Sequence, residues 1–194
     1  MTTILVISAH PDDETLFCGG TLAMYAQKGH DIFILETTRG EGGEVGEPPL
    51  TTRENLAAFR EQEVRRAAGI LGARDIFFLP YIDPFMEING IARRIDVPLA
   101  DFATAIATSI QEIDPQLVIT HGSNGEYGHP QHIYTHRATR MALNSGRQGT
   151  VANQTVVRSH TPLLLRHRNS AAAQHVLPRL PQRKGQGRTR QHII

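Results

Sequence analysis

A β-branched apolar run that ends directly in a histidine, a proline and two aspartates leaves this chain few folds to choose from. Thr3-Ile4-Leu5-Val6-Ile7-Ser8 has the length and composition of a buried strand. Ala9-His10-Pro11-Asp12-Asp13-Glu14 follows at once, and Thr15 to Lys28, closed by Gly29, carries a helical pattern. His10, Asp12, Asp13 and Glu14 can each bind a metal or carry a proton. They sit where a strand end meets a helix start, the place where open α/β sheets bind ligands. Pro11 fixes one backbone angle and stiffens the turn. An imidazole and a carboxylate are the nitrogen and oxygen donors that a zinc-like ion prefers, and the second adjacent carboxylate is left over as a base. The plainer reading, that Asp12 and Asp13 cap the helix, accounts for one carboxylate and for no histidine.

The pattern then repeats. Asp31 to Glu36 reads as a second strand. Thr37 to Leu50 is a Gly-, Glu- and Pro-rich loop of about fourteen residues, longer than most structureless connections, and is expected to form a flexible rim. Gly40, Gly42 and Gly43 match neither phosphate-binding glycine pattern. Glu41, Glu44 and Glu47 would also repel an anion. The spacing of Leu56, Phe59, Val64, Ala68 and Leu71 predicts a helix over Thr52 to Leu71, opened by Thr51 with Glu54 or Thr52 with Asn55 and ended by Gly72. Asp75 to Leu79 is a third strand, and Tyr81-Ile82-Asp83-Pro84 leaves its end. Leu99 to Ile113 is a helix stopped by Asp114-Pro115, and Gln116 to Thr120 is a fourth strand. Strand and helix alternate throughout, which predicts an α/β fold with a doubly wound, mainly parallel sheet flanked by helices.

The fourth strand runs into His121-Gly122-Ser123-Asn124-Gly125-Glu126-Tyr127-Gly128-His129-Pro130-Gln131-His132, with a helical segment after it. A second His-Pro turn after a second strand is a joint signal that no single histidine gives. A catalytic zinc takes about three protein ligands and keeps a position open for water. His10 and Asp13 supply two, and one histidine of this second turn supplies the third. Zinc brings the pKa of bound water to about 7. The free carboxylate can take the water proton, a second histidine can protonate a leaving amine, and Tyr127 can donate to a developing oxyanion. The combination points to metal-assisted hydrolysis of an amide.

His10-Pro11-Asp12-Asp13-Glu14 together with Tyr127-Gly128-His129-Pro130-Gln131-His132 resembles the LmbE-like (PIG-L) zinc N-deacetylases, whose two motifs read A-H-P-D-D-E and H-P-D-H or H-P-Q-H. The resemblance runs from residue 3 to about residue 143 and takes in Thr38 with Gly40-Glu41, and Arg60 with Glu63. It implies a Rossmann-like fold and removal of an acyl group, usually acetyl, from an amino-sugar conjugate of the N-acetylglucosamine type. By position it implies that His10, Asp13 and His132 bind Zn2+. Asp12 would then be the general base, His129 the general acid or electrostatic stabiliser, and Tyr127 the oxyanion donor. Arg60 and Asp83 would line the sugar site. Gln131 stands where many members carry Asp, and without that charge the tuning of the neighbouring histidine must come from elsewhere.

Composition divides the chain of 194 residues in two. All nineteen acids lie between Asp12 and Glu126, with nine Lys and Arg. From Tyr127 onward there are eleven Lys and Arg and no acid. Residues 1–144 read as the deacetylase domain, C-terminally incomplete. Residues 145–194 read as an atypical basic tail, either a frameshifted translation, a disordered extension contacting RNA or anionic lipid, or a divergent folded end. No nucleic-acid partner is expected unless that tail is genuine. The lone cysteine, Cys18, rules out an intrachain disulfide. No secretory stretch opens the chain and no apolar run approaches the ~20 residues of a membrane span, so a cytoplasmic protein is expected. Two further readings are a truncated relic that binds metal or sugar without turnover, and a dinucleotide-binding protein, against which the missing glycine fingerprint argues.

Overall fold

The computed structural model describes residues 1–85 and 90–145, and the backbone of a strand at 155–158. Strand and helix alternate as β1 (Thr3–Ser8), α1 (Asp13–Gln27), β2 (Asp31–Glu36), α2 (Leu56–Leu71), β3 (Asp75–Phe78), α3 (Leu99–Ile113), β4 (Leu117–Thr120), the single turn α4 (Gly125–Gly128), α5 (Pro130–Ser145) and β5 (Thr155–Arg158). All five strands are parallel, in the order β3-β2-β1-β4-β5. This is the doubly wound, parallel sheet expected from the sequence. The direction of winding reverses between β1 and β4, which pair Ile7 with Thr120 at their ends. The crevice at that reversal is the ligand position of such sheets, and both His-Pro turns leave from it.

The two faces follow from the alternation of side chains along each strand. Ile4 and Val6 of β1 and Ile32 and Ile34 of β2 pack with Leu22 of α1 and with Val64 and Ala68 of α2. Leu5 and Ile7 of β1 point the other way, into a layer built by Phe102, Ile106 and Ile110 of α3 and Tyr134, Ala138 and Ala142 of α5. Helices on both faces are what a parallel sheet requires, since both of its faces are apolar. Phe102 is the largest fully buried side chain. It stacks on Tyr134 at 5.6 Å and meets Tyr81 edge-on at 5.3 Å. Phe102→Ala should therefore cost about 3–5 kcal/mol of stability, measured as a lower urea midpoint at unchanged slope. A cost below about 1 kcal/mol would show that α3 does not clamp this layer.

The start of α2 and the number of strands differ most from the sequence reading, whereas most other ends agree within one or two residues. Helix α2 begins at Leu56 rather than Thr52. Residues 52–55 form a turn, with Asn55 N–H on Thr52 C=O at 3.2 Å, and Arg53 is drawn away to the carbonyls of Glu41 and Gly43. Helix α5 begins at Pro130, so its first turn carries His132. A fifth strand, Thr155–Arg158, pairs with β4, where four strands were expected. The tail beyond it lies outside the described residues, as do residues 146–154. No helix among the described residues is long and apolar enough to cross a membrane.

Candidate metal centre

His10 leaves the end of β1 and the turn after it bends sharply. Asp12 has φ 122°, ψ −27°, a backbone conformation that L residues avoid and that costs of order 1–3 kcal/mol. It is held there from both sides. Its N–H donates to Glu14 Oε2 at 3.0 Å, and its C=O accepts from Leu16 N–H at 2.8 Å. Neither aspartate caps α1 through its side chain in the usual way. Asp13 Oδ2 turns back to accept His10 N–H at 2.9 Å, while Asp12 Oδ2 meets Arg60 Nη2 at 2.7 Å. Arg60 also donates to Pro11 C=O. The loop backbone packs closely on that guanidinium: a Cβ on Gly40, where φ is 70°, or on Gly43 would lie 2.5 or 2.6 Å from Arg60 Nη1. Gly40 and Gly43 thus pack closely on Arg60, while a Cβ on Gly42 would meet the Pro84 carbonyl.

The three donor atoms assigned to metal by the resemblance converge. His10 Nδ1 is 3.3 Å from Asp13 Oδ2, His132 Nε2 is 3.4 Å from the same oxygen, and the two nitrogens are 3.3 Å apart. Ligand bonds of about 2.0–2.1 Å in a tetrahedron separate the ligand atoms by about 3.3 Å, so this triangle is one face of a zinc-sized polyhedron. All three side chains are buried. Each histidine has its other nitrogen on a carboxylate. His10 Nε2 is 3.3 Å from Asp83 Oδ1, and His132 Nδ1 is 3.0 Å from Glu126 Oε2. Metal-binding histidines are oriented in this way in general.

Two more histidines lie close enough to compete. His121 Nε2 is 3.4 Å from Asp13 Oδ2, but it accepts Ala9 N–H at 2.9 Å, so its lone pair is already used. His129 Nδ1 accepts Gln131 N–H at 3.3 Å. Its neutral ring therefore carries the proton on Nε2, and a protonated nitrogen donates to a substrate rather than ligating a metal. Burial, with His10 and His132 alongside, lowers the His129 pKa to about 4. Gln131 does not touch that titration through its side chain. It is wholly buried and its Oε1 accepts Ile95 N–H at 2.8 Å.

The electrostatics divide the acids by role. Burial opposes the charge of Asp13, but the hydrogen bond with His10, with His121 alongside, holds it well below the usual carboxylate range. Burial also opposes a proton on His10, yet Asp13 and Asp83 on either side raise its pKa to about 9. Asp12 goes the other way: burial raises its pKa to about 6 against the pull of Arg60. Glu36, at the end of β2, is fully buried with both oxygens lacking a donor, and burial, then Glu14 beside it, holds its carboxyl protonated well above the usual range.

A cavity of about 240 Å3 opens over this floor, lined among others by His10, Asp12, Arg60, Asp83, Tyr127 and His129. Of the residues given a role in the sequence, Asp13 lines it as well, and His132 reaches the site through its 3.3 Å approach to His10 Nδ1. Tyr127 stands at its mouth, 67% exposed and edge-on to His129 at 5.8 Å. Arg60 and Asp83 both line it, and each also holds a partner in the turn below, Asp12 and His10 respectively. Glu126 and His121 had no assigned role in the sequence. Their signal was a carboxylate and a histidine inside the second motif, but only the folded turn brings both onto His132.

The chain matches the family described as PIG-L, GlcNAc-PI de-N-acetylase, over residues 5–143. It is 39% identical over 155 residues to the 1D-myo-inositol 2-acetamido-2-deoxy-alpha-D-glucopyranoside deacetylase of Thermobifida fusca, covering 72% of this chain and 54% of that protein. The chain thus spans about half the length of the curated relatives it matches. Among solved structures, the fold is similar to N,N'-diacetylchitobiose deacetylase from Pyrococcus horikoshii, with a TM-score of 0.62 at 23% identity over 74% of this chain and 49% of that one. It is also similar to GalB, the 4-carboxy-2-hydroxymuconate hydratase of Pseudomonas putida, with a TM-score of 0.59 at 22% identity over 80% and 64%.

Proposed function

We propose, since this chain belongs to the PIG-L family of GlcNAc-PI de-N-acetylases, that it is a zinc-dependent hydrolase removing the acyl group from an N-acetylated amino-sugar conjugate. One observation carries the reading: His10, Asp13 and His132 offer three donor atoms at tetrahedral spacing, while the adjacent Asp12 carboxylate stays off that triangle and faces the cavity. The fold alone would not carry it, because the Pseudomonas hydratase has a similar one.

A divalent ion held by those three residues would polarise the scissile carbonyl and favour deprotonation of water. The chain supplies the proton handling. Asp12 has Oδ2 tied to Arg60, which leaves Oδ1 to take the proton of the attacking water. With its pKa near 6, the same carboxyl can return that proton to the departing amine nitrogen at neutral pH. His129, neutral with its proton on Nε2, fits an electrostatic stabiliser of the oxyanion better than an acid. Tyr127 would add a second donor there from the cavity mouth. Arg60 and Asp83 flank the space left for the sugar.

Release of free amine from N-acetylglucosamine conjugates tests the reading, with zinc-loaded protein, after chelation, and after zinc is restored. Turnover should fall to background with chelator and return with zinc. Amine release that ignores the chelator would exclude metal assistance. Stoichiometric zinc without amine release from any conjugate tried would leave the chain a binding protein, the relic of the alternative reading.

A further inference from the structure

Glu126 is a buried carboxylate in a costly place. It is 5% exposed, and its backbone sits at φ 59°, ψ −68°, in the positive-φ half of the map where non-glycine residues are uncommon. Burying such a charge is unfavourable by several kcal/mol unless hydrogen bonds satisfy it. Three do. Oε1 accepts Gly122 N–H at 2.7 Å, and Oε2 is shared by His121 Nδ1 at 2.9 Å and His132 Nδ1 at 3.0 Å. The turn is shaped to deliver it: Gly125 and Gly128, on either side, also take positive φ, and a Cβ on Gly125 would lie 2.7 Å from Ile133.

An ionised carboxylate only accepts, so both histidines must present Nδ1–H to it. The two rings lie almost parallel, 4.1 Å apart at 17°, and the shared oxygen gives them the same tautomer. Their other nitrogens then part company. That of His121 is used by Ala9 N–H, which stitches the end of β4 to the end of β1. That of His132 faces the donor triangle, 3.3 and 3.4 Å from His10 Nδ1 and Asp13 Oδ2. We infer that Glu126 is the positioning residue of the metal centre, fixing the tautomer and ring plane of His132 as a ligand and of His121 as the strut between the two motifs. The inference rests on the metal-centre reading above. It also places in Glu126 the carboxylate that the second motif lacks at Gln131, but on the metal-side histidine and not on His129.

Glu126→Gln keeps the shape and puts an NH2 group in the carboxylate's place. That NH2 group then meets either Gly122 N–H or both imidazole N–H groups, and those donors lose their acceptor. The expected result is zinc affinity about 10–100-fold weaker, measured by competition with a chromophoric chelator. Nitrogen-detected NMR of the metal-free protein should show Nδ1–H on His132 in the wild type and its loss or mixing in E126Q. Glu126→Asp keeps the charge on a shorter stem, so it should hold the wild-type tautomer and lose less affinity than E126Q. It carries the same test if E126Q fails to fold. Zinc affinity within twofold of wild type in E126Q, or equal losses in E126D and E126Q, would overturn the inference. If the wild type itself binds no zinc, the metal reading fails, and the His132 tautomer in wild type and variants still decides what Glu126 does.

Discussion

Alanine at His10, Asp13 or His132 should each strip the protein of metal. The three donor atoms form an almost equilateral triangle with sides of 3.3–3.4 Å, so none is spare. If zinc held by protein ligands is worth about 10–16 kcal/mol, losing one of three donors weakens binding on the order of 10³-fold. Metal content after dialysis against a weak chelator, with circular dichroism to confirm the fold, reads the loss. Full metal in all three variants would remove the assignment. The wild type should also show a pH signature. In the metal-free state Asp13 and Asp83 hold a proton on His10 up to about pH 9, and a metal must displace it. Apparent affinity should therefore tighten by roughly tenfold per pH unit between about 6.5 and 9. The stability of the metal-free fold runs oppositely. An unfolded chain releases that proton near 6.5, so the stabilisation is full below pH 6.5 and is lost as pH rises through 9.

How much of this could be read from residues alone depended on how local its cause was. Strands β1 and β2 appear at Thr3–Ser8 and Asp31–Glu36 as expected, because their apolar runs are bounded by strong turn signals. Helix α3 matches at both ends for the same reason. The start of α2 did not, since the Thr and Asn residues that resemble a cap are used in a turn whose Arg53 is held by the glycine loop. Strand β5 has only Val156-Val157 to announce it, and its existence depends on the free edge of β4. In the site, motif residues that follow a strand end were visible in sequence. Glu126 and His121 stood inside the second motif, but their roles were not visible, because they arise from a positive-φ turn that folds one carboxylate onto two rings. The tight packing of Gly40 and Gly43 on Arg60 is equally non-local, and the sequence alone suggested a loose rim.

Asp12→Asn should leave the metal in place and remove the chemistry. The side chain lies outside the donor triangle and its one strong partner is Arg60, at 2.7 Å. An amide oxygen can still accept from that guanidinium, so the strained turn at φ 122° keeps its outer support. It keeps its inner support too, because the donor to Glu14 Oε2 is the Asp12 backbone N–H, which the substitution leaves in place. What the amide cannot do is take a proton from water or hand one to an amine. General acid–base catalysis by a positioned group is worth about 10²–10⁴ in rate, and here one carboxyl would serve both steps. The loss in kcat should therefore lie toward the upper end, with KM changed by less than about threefold. The contrast with the ligand variants decides between the two roles: zinc stoichiometry near wild type with kcat down by about 10³ marks a base, whereas loss of zinc would mark a ligand. Turnover by Asp12→Asn within about tenfold of wild type would place the base elsewhere in the cavity.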